Sequence, residues 1–286
     1  MESNWIGKKI IEERKKLNFS QLQLAKKLFI SSQAIGKWER GESLPDFHMI
    51  IKLAKIFNVD LNFFSAEFSK NYSKTSETNT SLNQKWDLSN GNFKNGDFTN
   101  IKNLSTKLTG SNIINCIFKK GVFSTILFKS NNIEKCDFTD AKFDKSQIEL
   151  TNFNNIDFKN CTFFEAILTK NNFTACDFSN LDFSGAIVQK SNMTNCKLEN
   201  IKFIDCSFKG VSFYDIIFES SFDNCSFENC SFNLVTFQNL SFKNVFFKNN
   251  KNIKKVKFIN CLSDSISYSF LKNESADLSK IKSIAK

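Results

Sequence analysis

Large apolar residues recur through most of this chain at an interval of five, and through its first sixty residues at intervals of three and four. The interval of five runs from Leu88 to Phe218 as Phe93, Phe98, Leu108, Ile113, Phe118, Phe123, Phe128, Ile133, Phe138, Phe143 and onward, with Asn103 as the one polar break. One residue is then lost, the run resumes as Phe222, Phe227, Phe232, Phe237, Phe242 and Phe247, and a residue is regained before Ile253 and Phe258. Neither regular element can use this spacing. Five residues turn a helix by about 500°, so successive Phe would scatter around it. In a straight strand an odd spacing alternates faces. Two positions before each large residue stands a small or medium one, such as Ala141, Ala166 or Ala186, and all nine cysteines fall in this slot. A spacing of two keeps both residues on one side of a short extended segment. The chain must therefore bend once per five residues to keep that side inward, and such a period predicts a solenoid that stacks on itself.

The first segment follows the helical period. Ile6, Ile10 and Leu17 mark one face of a first helix. Ser20 with Gln23 three residues later forms a capping box that opens a second helix. Ser31 caps a third, with Ile30 and Ile35 placed as a hydrophobic staple. In "SSQAIGKWERG" this phasing turns Ala34, Ile35 and Trp38 inward and leaves Ser32, Gln33, Gly36, Lys37 and Arg40 outside. Gly41 ends that helix. Asp46 starts the next, with Met49, Leu53 and Phe57 as its buried stripe, and a last short helix forms around Leu61 and Phe64. His48 reads as a helix-surface residue.

Composition changes the picture in three ways. With 9 Gly and 1 Pro among 286 residues, the chain is poor in the usual turn formers, so regular structure should fill most of it. Residues 1–66 hold 11 basic and 7 acidic side chains and both arginines, Arg14 and Arg40; residues 86–263 hold 21 Lys against 17 acidic groups. The shorter segment carries the denser positive charge, which suits an anionic partner. The start "MESNWIGKKI" lacks the apolar core of a signal peptide, and no apolar run approaches a membrane span, which places the expected protein in the cytoplasm with reduced thiols.

The cysteines are the obvious candidates for chemistry. Cys225 and Cys230 in "FDNCSFENCSF" lack paired CxxC spacing, and the chain has one His, so a metal site is not expected. A disulfide would need stacked cysteines and an oxidising compartment, and nine is an odd number. The slot reads as small interior filler. No nucleophile–base pair, phosphate-cradling glycine loop or metal cluster is visible, so neither an enzyme nor a cofactor is expected.

Two resemblances follow from these residues. The segments "CDFTD", "CDFSN", "CSFEN" and "AKFDK" resemble the pentapeptide-repeat family, whose motif is written A(D/N)LXX, over residues 86–263. The resemblance implies a right-handed, four-sided parallel β-helix of 20 residues per coil. At about 4.8 Å per coil that makes about nine layers and a rod near 40 Å long. The stretch "SQLQLAKKLFISSQAIGKWERGESLPD", Ser20 to Asp46, resembles the lambda-repressor-like, xenobiotic-response-element type of helix-turn-helix domain. Typical members read close to "SQEELAEKLGVSRQTISKWENGKSLPD". The resemblance implies a third helix in the major groove of double-stranded DNA. Carried over by position, Ser32, Gln33 and Lys37 become base-facing residues, and Gln21, Ser31 and Arg40 phosphate contacts. A Gln can pair bidentately with adenine, at about 1–3 kcal/mol of discrimination. Three residues depart from the pattern: Ser32 stands where Arg is common, Gly36 replaces a polar residue, and Phe29 takes the turn position usually held by Gly. A left-handed Phe29 would be strained; the alternative is a remodelled loop.

The expected architecture is thus an α + β multidomain chain: a five-helix helix-turn-helix bundle over 1–65, a flexible linker over 66–85, a β-helix over 86–263 and a cap over 264–286. Phe270, Leu271, Leu278, Ile281 and Ile284 stand at near-helical spacing, so the tail is expected to form a helix capping the last coil or to pair with its copy in a second chain. The expected function is a sequence-specific transcriptional regulator, acting as a homodimer on paired half-sites, with the solenoid as a platform for a protein partner. The alternative is a scaffold or DNA mimic that binds DNA gyrase, as some pentapeptide-repeat proteins do, though a mimic needs an acidic surface.

Overall fold

The computed structural model of the chain describes residues 5–59, 61–64 and 86–284, apart from the side chains at 47, 48, 61 and 62. The expected linker and the surface placement of His48 lie outside those residues. The chain divides into two compact units, one helical and one a parallel β-solenoid.

The helical unit contains α1 (Trp5–Lys16), α2 (Gln21–Leu28), α3 (Ser32–Arg40), α4 (Phe47–Phe57) and a 3-10 turn, Leu61–Phe64. Its helix starts follow local chemistry. Ser20 Oγ accepts from Gln23 N at 3.1 Å while Gln23 Oε1 accepts from Ser20 N at 2.7 Å, closing the capping box. Ser31 and Asp46 cap α3 and α4 by accepting from Ala34 N and Met49 N. Ile6, Ile10, Leu24, Leu28, Ile35, Trp38, Leu53, Phe57 and Phe64 form the core. Leu17 does not join it: α1 has ended by Lys16, and the side chain is 40% exposed. Met49 is only half-buried, and Ile50 and Ala54 complete the α4 stripe.

The solenoid repeats every twenty residues. Parallel pairs such as Asn112↔Asn132, Ile113↔Ile133 and Gln147↔Ile167 fix that register. A nine-stranded and an eight-stranded sheet run along it, and a five-stranded sheet joins them from Phe203 onward. The lost residue appears as the pair Phe203↔Phe222, nineteen apart, and the regained one as Phe237↔Phe258, where a 3-10 turn at Ile253–Lys255 takes up the excess. At the polar break, Leu104 turns inward in place of Asn103.

The five-residue bend has one cause. The residue two places after each large one adopts left-handed backbone almost without interruption from Asn90 to Asn249, with φ between 48° and 62° at the non-glycine positions. Turns are therefore frequent in this chain, against the expectation from its few Gly and Pro. Asn, which tolerates that conformation, is the commonest residue there and fills half of the non-glycine positions. Inside, the Phe residues stack in columns: Phe118, Phe138, Phe158 and Phe178 lie with ring centroids 4.8, 5.5 and 5.2 Å apart. A second column joins Phe123, Phe143 and Phe163 at 5.1 and 4.6 Å.

The small slot is more than filler. Cys136, Cys161, Cys176, Cys196 and Cys206 each donate a thiol hydrogen to the carbonyl of the large residue twenty-three positions earlier, at 3.0–3.6 Å. Asn131 and Asn171 make the same bond at 2.8 Å, to Leu108 O and Ile148 O. They belong to a fully buried polar column, Ser111, Asn131, Thr151, Asn171 and Ser191, that the apolar ruler does not reveal. Each of its side chains accepts from the backbone N–H of the preceding coil, as Asn131 Oδ1 does from Ser111 N at 2.9 Å. A bend leaves an N–H and a carbonyl without sheet partners, and the side chain in this slot supplies both. All nine cysteines are free and buried. Burial pushes the Cys230 thiol up to about 12.

The tail is half helix and half strand, not one helix. The helix α5 (Ser265–Asn273) stops as Ser275 turns left-handed, and Ile281–Ser283 then adds a strand parallel to Cys261–Ser263. Together they seal the last coil. Ser267 Oγ accepts from Val245 N, and the Glu274 carboxylate accepts from Asn249 N and Asn250 N at 2.8 and 2.6 Å. Phe270 packs edge-on against Phe246, 4.6 Å between centroids.

Candidate nucleic-acid interface

The helix-turn-helix is α2, a short turn and α3. The turn begins at Phe29, which is left-handed (φ 58°, ψ 45°). The loop is not remodelled: Ile30 N donates to Ala25 O at 3.1 Å, as a helix-ending turn of this kind requires. Phe29 therefore carries the strain that its position predicts, and its ring is 90% exposed. Gly41 ends α3 in the same conformation at no such cost.

The outer face of α3 matches the predicted phasing with one exception. Gln33 and Lys37, one turn apart, are exposed, and Ser32 is half-buried. Ser31 is exposed, its hydroxyl oxygen holding Ala34 N at 3.3 Å as the N-cap. No acidic residue stands in the first turn of α3, so the positive end of its dipole is unopposed there. The exception is Gly36, which is buried rather than outward.

What seats α3 is a network absent from the sequence reading. Glu39 is buried, its side chain 6% exposed. Arg14 from the end of α1 grips it with a fork, Nε to Oε1 at 2.6 Å and Nη2 to Oε2 at 3.1 Å, and Arg14 Nη1 also donates to Phe19 O. Gln21, at the start of α2, donates through Nε2 to Glu39 Oε2 at 2.7 Å. A buried carboxylate must be paired to be tolerated, and this one ties three helices together. The signal was available: Glu39 lies four residues after Ile35 and next to Trp38, on the inward face. Arg40, at the end of α3, is exposed and pairs with Glu42, Nε to Oε1 at 2.5 Å and Nη2 to Oε2 at 3.1 Å. Of the six residues singled out in the sequence, the fold brings Ser31, Ser32, Gln33, Lys37 and Arg40 onto one helix and sets Gln21 beside its middle.

The solenoid surface is differently built. Asp137, Asp157, Asp177 and Asp182 each turn one carboxylate oxygen to the backbone N–H two residues on, at 2.9–3.0 Å. Lys119, Lys159 and Lys202 cover the other oxygens. Among the described residues no group of three or more His, Cys, Asp or Glu could hold a metal ion, and no helix is long and apolar enough to cross a membrane.

Comparison with known proteins agrees with this division. A family model described as helix-turn-helix matches residues 10–64, and one described as pentapeptide repeat region matches residues 156–222. No curated protein matches the chain. Among solved structures it is similar to HetL, a pentapeptide repeat protein involved in heterocyst differentiation regulation from the cyanobacterium Nostoc sp. strain PCC 7120. That likeness has 11% identity and a TM-score of 0.38, over 59% of this chain and 86% of that one. It is also similar to QnrB1, a plasmid-mediated fluoroquinolone resistance protein, at 17% identity and a TM-score of 0.27, over 70% of this chain and 90% of that one. The helix-turn-helix match thus falls on the helical unit, and the pentapeptide-repeat match on the solenoid.

Proposed function

We propose that this protein is a sequence-specific DNA-binding transcriptional regulator. The observation that carries the reading is the outer face of α3, where Gln33 and Lys37 stand exposed one turn apart on a helix fixed in place by Arg14, Glu39 and Gln21. In this reading Gln33 and Lys37 face base edges in the major groove, with Ser32 beside them. Ser31 and the second amide hydrogen of Gln21 reach phosphate oxygens, and the basic groups release counterions. One module grips few phosphates, so the protein acts as a dimer on two half-sites about one helical turn apart. The solenoid offers its side to a protein partner. Mimicry of DNA draws little support from the geometry, because the aspartates of the solenoid are bonded to their own backbone and interleaved with lysines.

The test is selection of bound duplexes from a random pool by the full-length protein, followed by titration of the winner at two salt concentrations. A palindromic winner is expected, and its preference should vanish in the Gln33→Ala, Lys37→Ala double variant. Binding that is salt-sensitive but indifferent to those changes would sink the reading.

A further inference from the structure

Gly36 occupies the middle of α3, has no side chain, and is nevertheless buried. Arg40 covers it. A Cβ built on Gly36 would lie 3.0 Å from Arg40 Nη1 and 3.8 Å from its Cζ. The arginine therefore runs back along the helix, the direction helical side chains take. Its guanidinium rests about one turn nearer to Ser32 and Gln33 than its own Cα does. Glu42 holds it there through Nε and Nη2. Gln21 Oε1 lies on another side, 3.8 Å from the same Cβ point.

This arrangement spends one edge of the guanidinium on Glu42 and leaves its far end, Nη1 with the remaining Nη2 hydrogen, over Gly36 on a side chain that is 60% exposed. Two parallel N–H donors at that end match O6 and N7 of guanine in the major groove. A phosphate contact would need neither an empty position 36 nor a carboxylate alongside, and Glu42 would repel the phosphate. We propose that Arg40 reads a guanine across Gly36, as a specificity-determining residue and not a phosphate contact, with Glu42 as its positioning residue. The proposal rests on the DNA-binding reading above and names one base of the site.

The experiment compares selected-site profiles and salt-dependent Kd values for full-length wild type, Arg40→Ala, Glu42→Gln and Gly36→Ala. The last variant keeps every charge and gains helix propensity, so it folds, and its methyl group, 3.0 Å from Nη1, pushes the guanidinium off its seat by a few tenths of an ångström. The expected result is one G·C position whose preference falls about tenfold or more in Arg40→Ala, and by less in Gly36→Ala and Glu42→Gln, with the salt slope of Gly36→Ala unchanged. If Arg40→Ala instead weakens all duplexes alike and lowers the salt slope by about one, with Gly36→Ala without effect, the proposal falls and the regulator reading stands. If wild type enriches no sequence, both fall.

Discussion

The helical unit and the solenoid both depend on left-handed residues, and they use them for opposite purposes. In the first, Phe29, Gly41 and Asn58 each stop one helix. In the second, the same conformation recurs every fifth residue and keeps the chain turning. A helix end has one residue to bear the cost, so its identity matters. A solenoid corner is held by its neighbours: Lys120 N, Leu150 N and Glu165 N all donate to carbonyls of the next coil at 2.9–3.1 Å. Residues that avoid this conformation are thus accepted there among the asparagines. Repetition makes the individual corner tolerant, while a single-use cap stays exacting.

The largest effects should separate the two kinds of core. Phe158 is fully buried between Phe138 and Phe178, and Phe158→Ala should cost about 3–5 kcal/mol. Urea unfolding followed by the β-sheet circular dichroism signal measures it; a loss below about 1 kcal/mol would mean that the stacked column closes the gap. In the helical unit the corresponding weak point is polar. Arg14→Ala leaves Glu39 buried without its cation and should cost about 3 kcal/mol, read from loss of helical signal in denaturant.

A matched pair of substitutions addresses the left-handed residues directly. Phe29 and Leu234 are both left-handed and exposed, 90% and 69%. Phe29→Gly should gain about 1 kcal/mol by relieving strain at a cap. Leu234→Asn should gain less, because the corner is held by its stack. Equal gains in the two melting midpoints would remove the distinction drawn above.

The smallest effect is acid lability of the solenoid. Burial works to raise Asp137, Asp177 and Asp182, but hydrogen bonds outweigh it and hold all three below the usual carboxylate range. The donors are Thr139 and Lys119 for Asp137, Ser179 and Lys159 for Asp177, and Ser184 and Lys202 for Asp182. Their unfolded forms bind protons first as pH falls, so the stability they contribute is present above about pH 4 and lost below it. Asp177→Asn keeps the acceptor but not the charge. It should flatten the acid arm of a stability–pH curve, and an unchanged arm would assign the lability to other groups.

Much of this molecule was legible as a string. The interval of five with its small partner two places earlier demands a bending coil, because no straight element keeps such residues on one side. The capping box at Ser20 and the caps at Ser31, Gly41 and Asp46 are local chemistry, settled within four residues. The ruler also located the lost and regained residues to within one coil. What the string did not reveal depends on partners far apart in sequence. The buried column from Ser111 to Ser191 is polar because a bend strands backbone groups that only the neighbouring coil can reach. The tail divides into helix and strand because an open sheet edge, present only once the coils stack, rewards added pairing more than continued helix. Gly36 reads as a lost contact until Arg40 is seen lying over it, and Glu39, whose place beside Trp38 on the inward face is legible, shows no partner until Arg14, twenty-five residues away, closes on it. Periodicity fixes which side of the chain faces inward; only the folded chain decides which distant groups meet there, because burial makes each unpaired polar atom find a partner wherever the backbone brings one within reach.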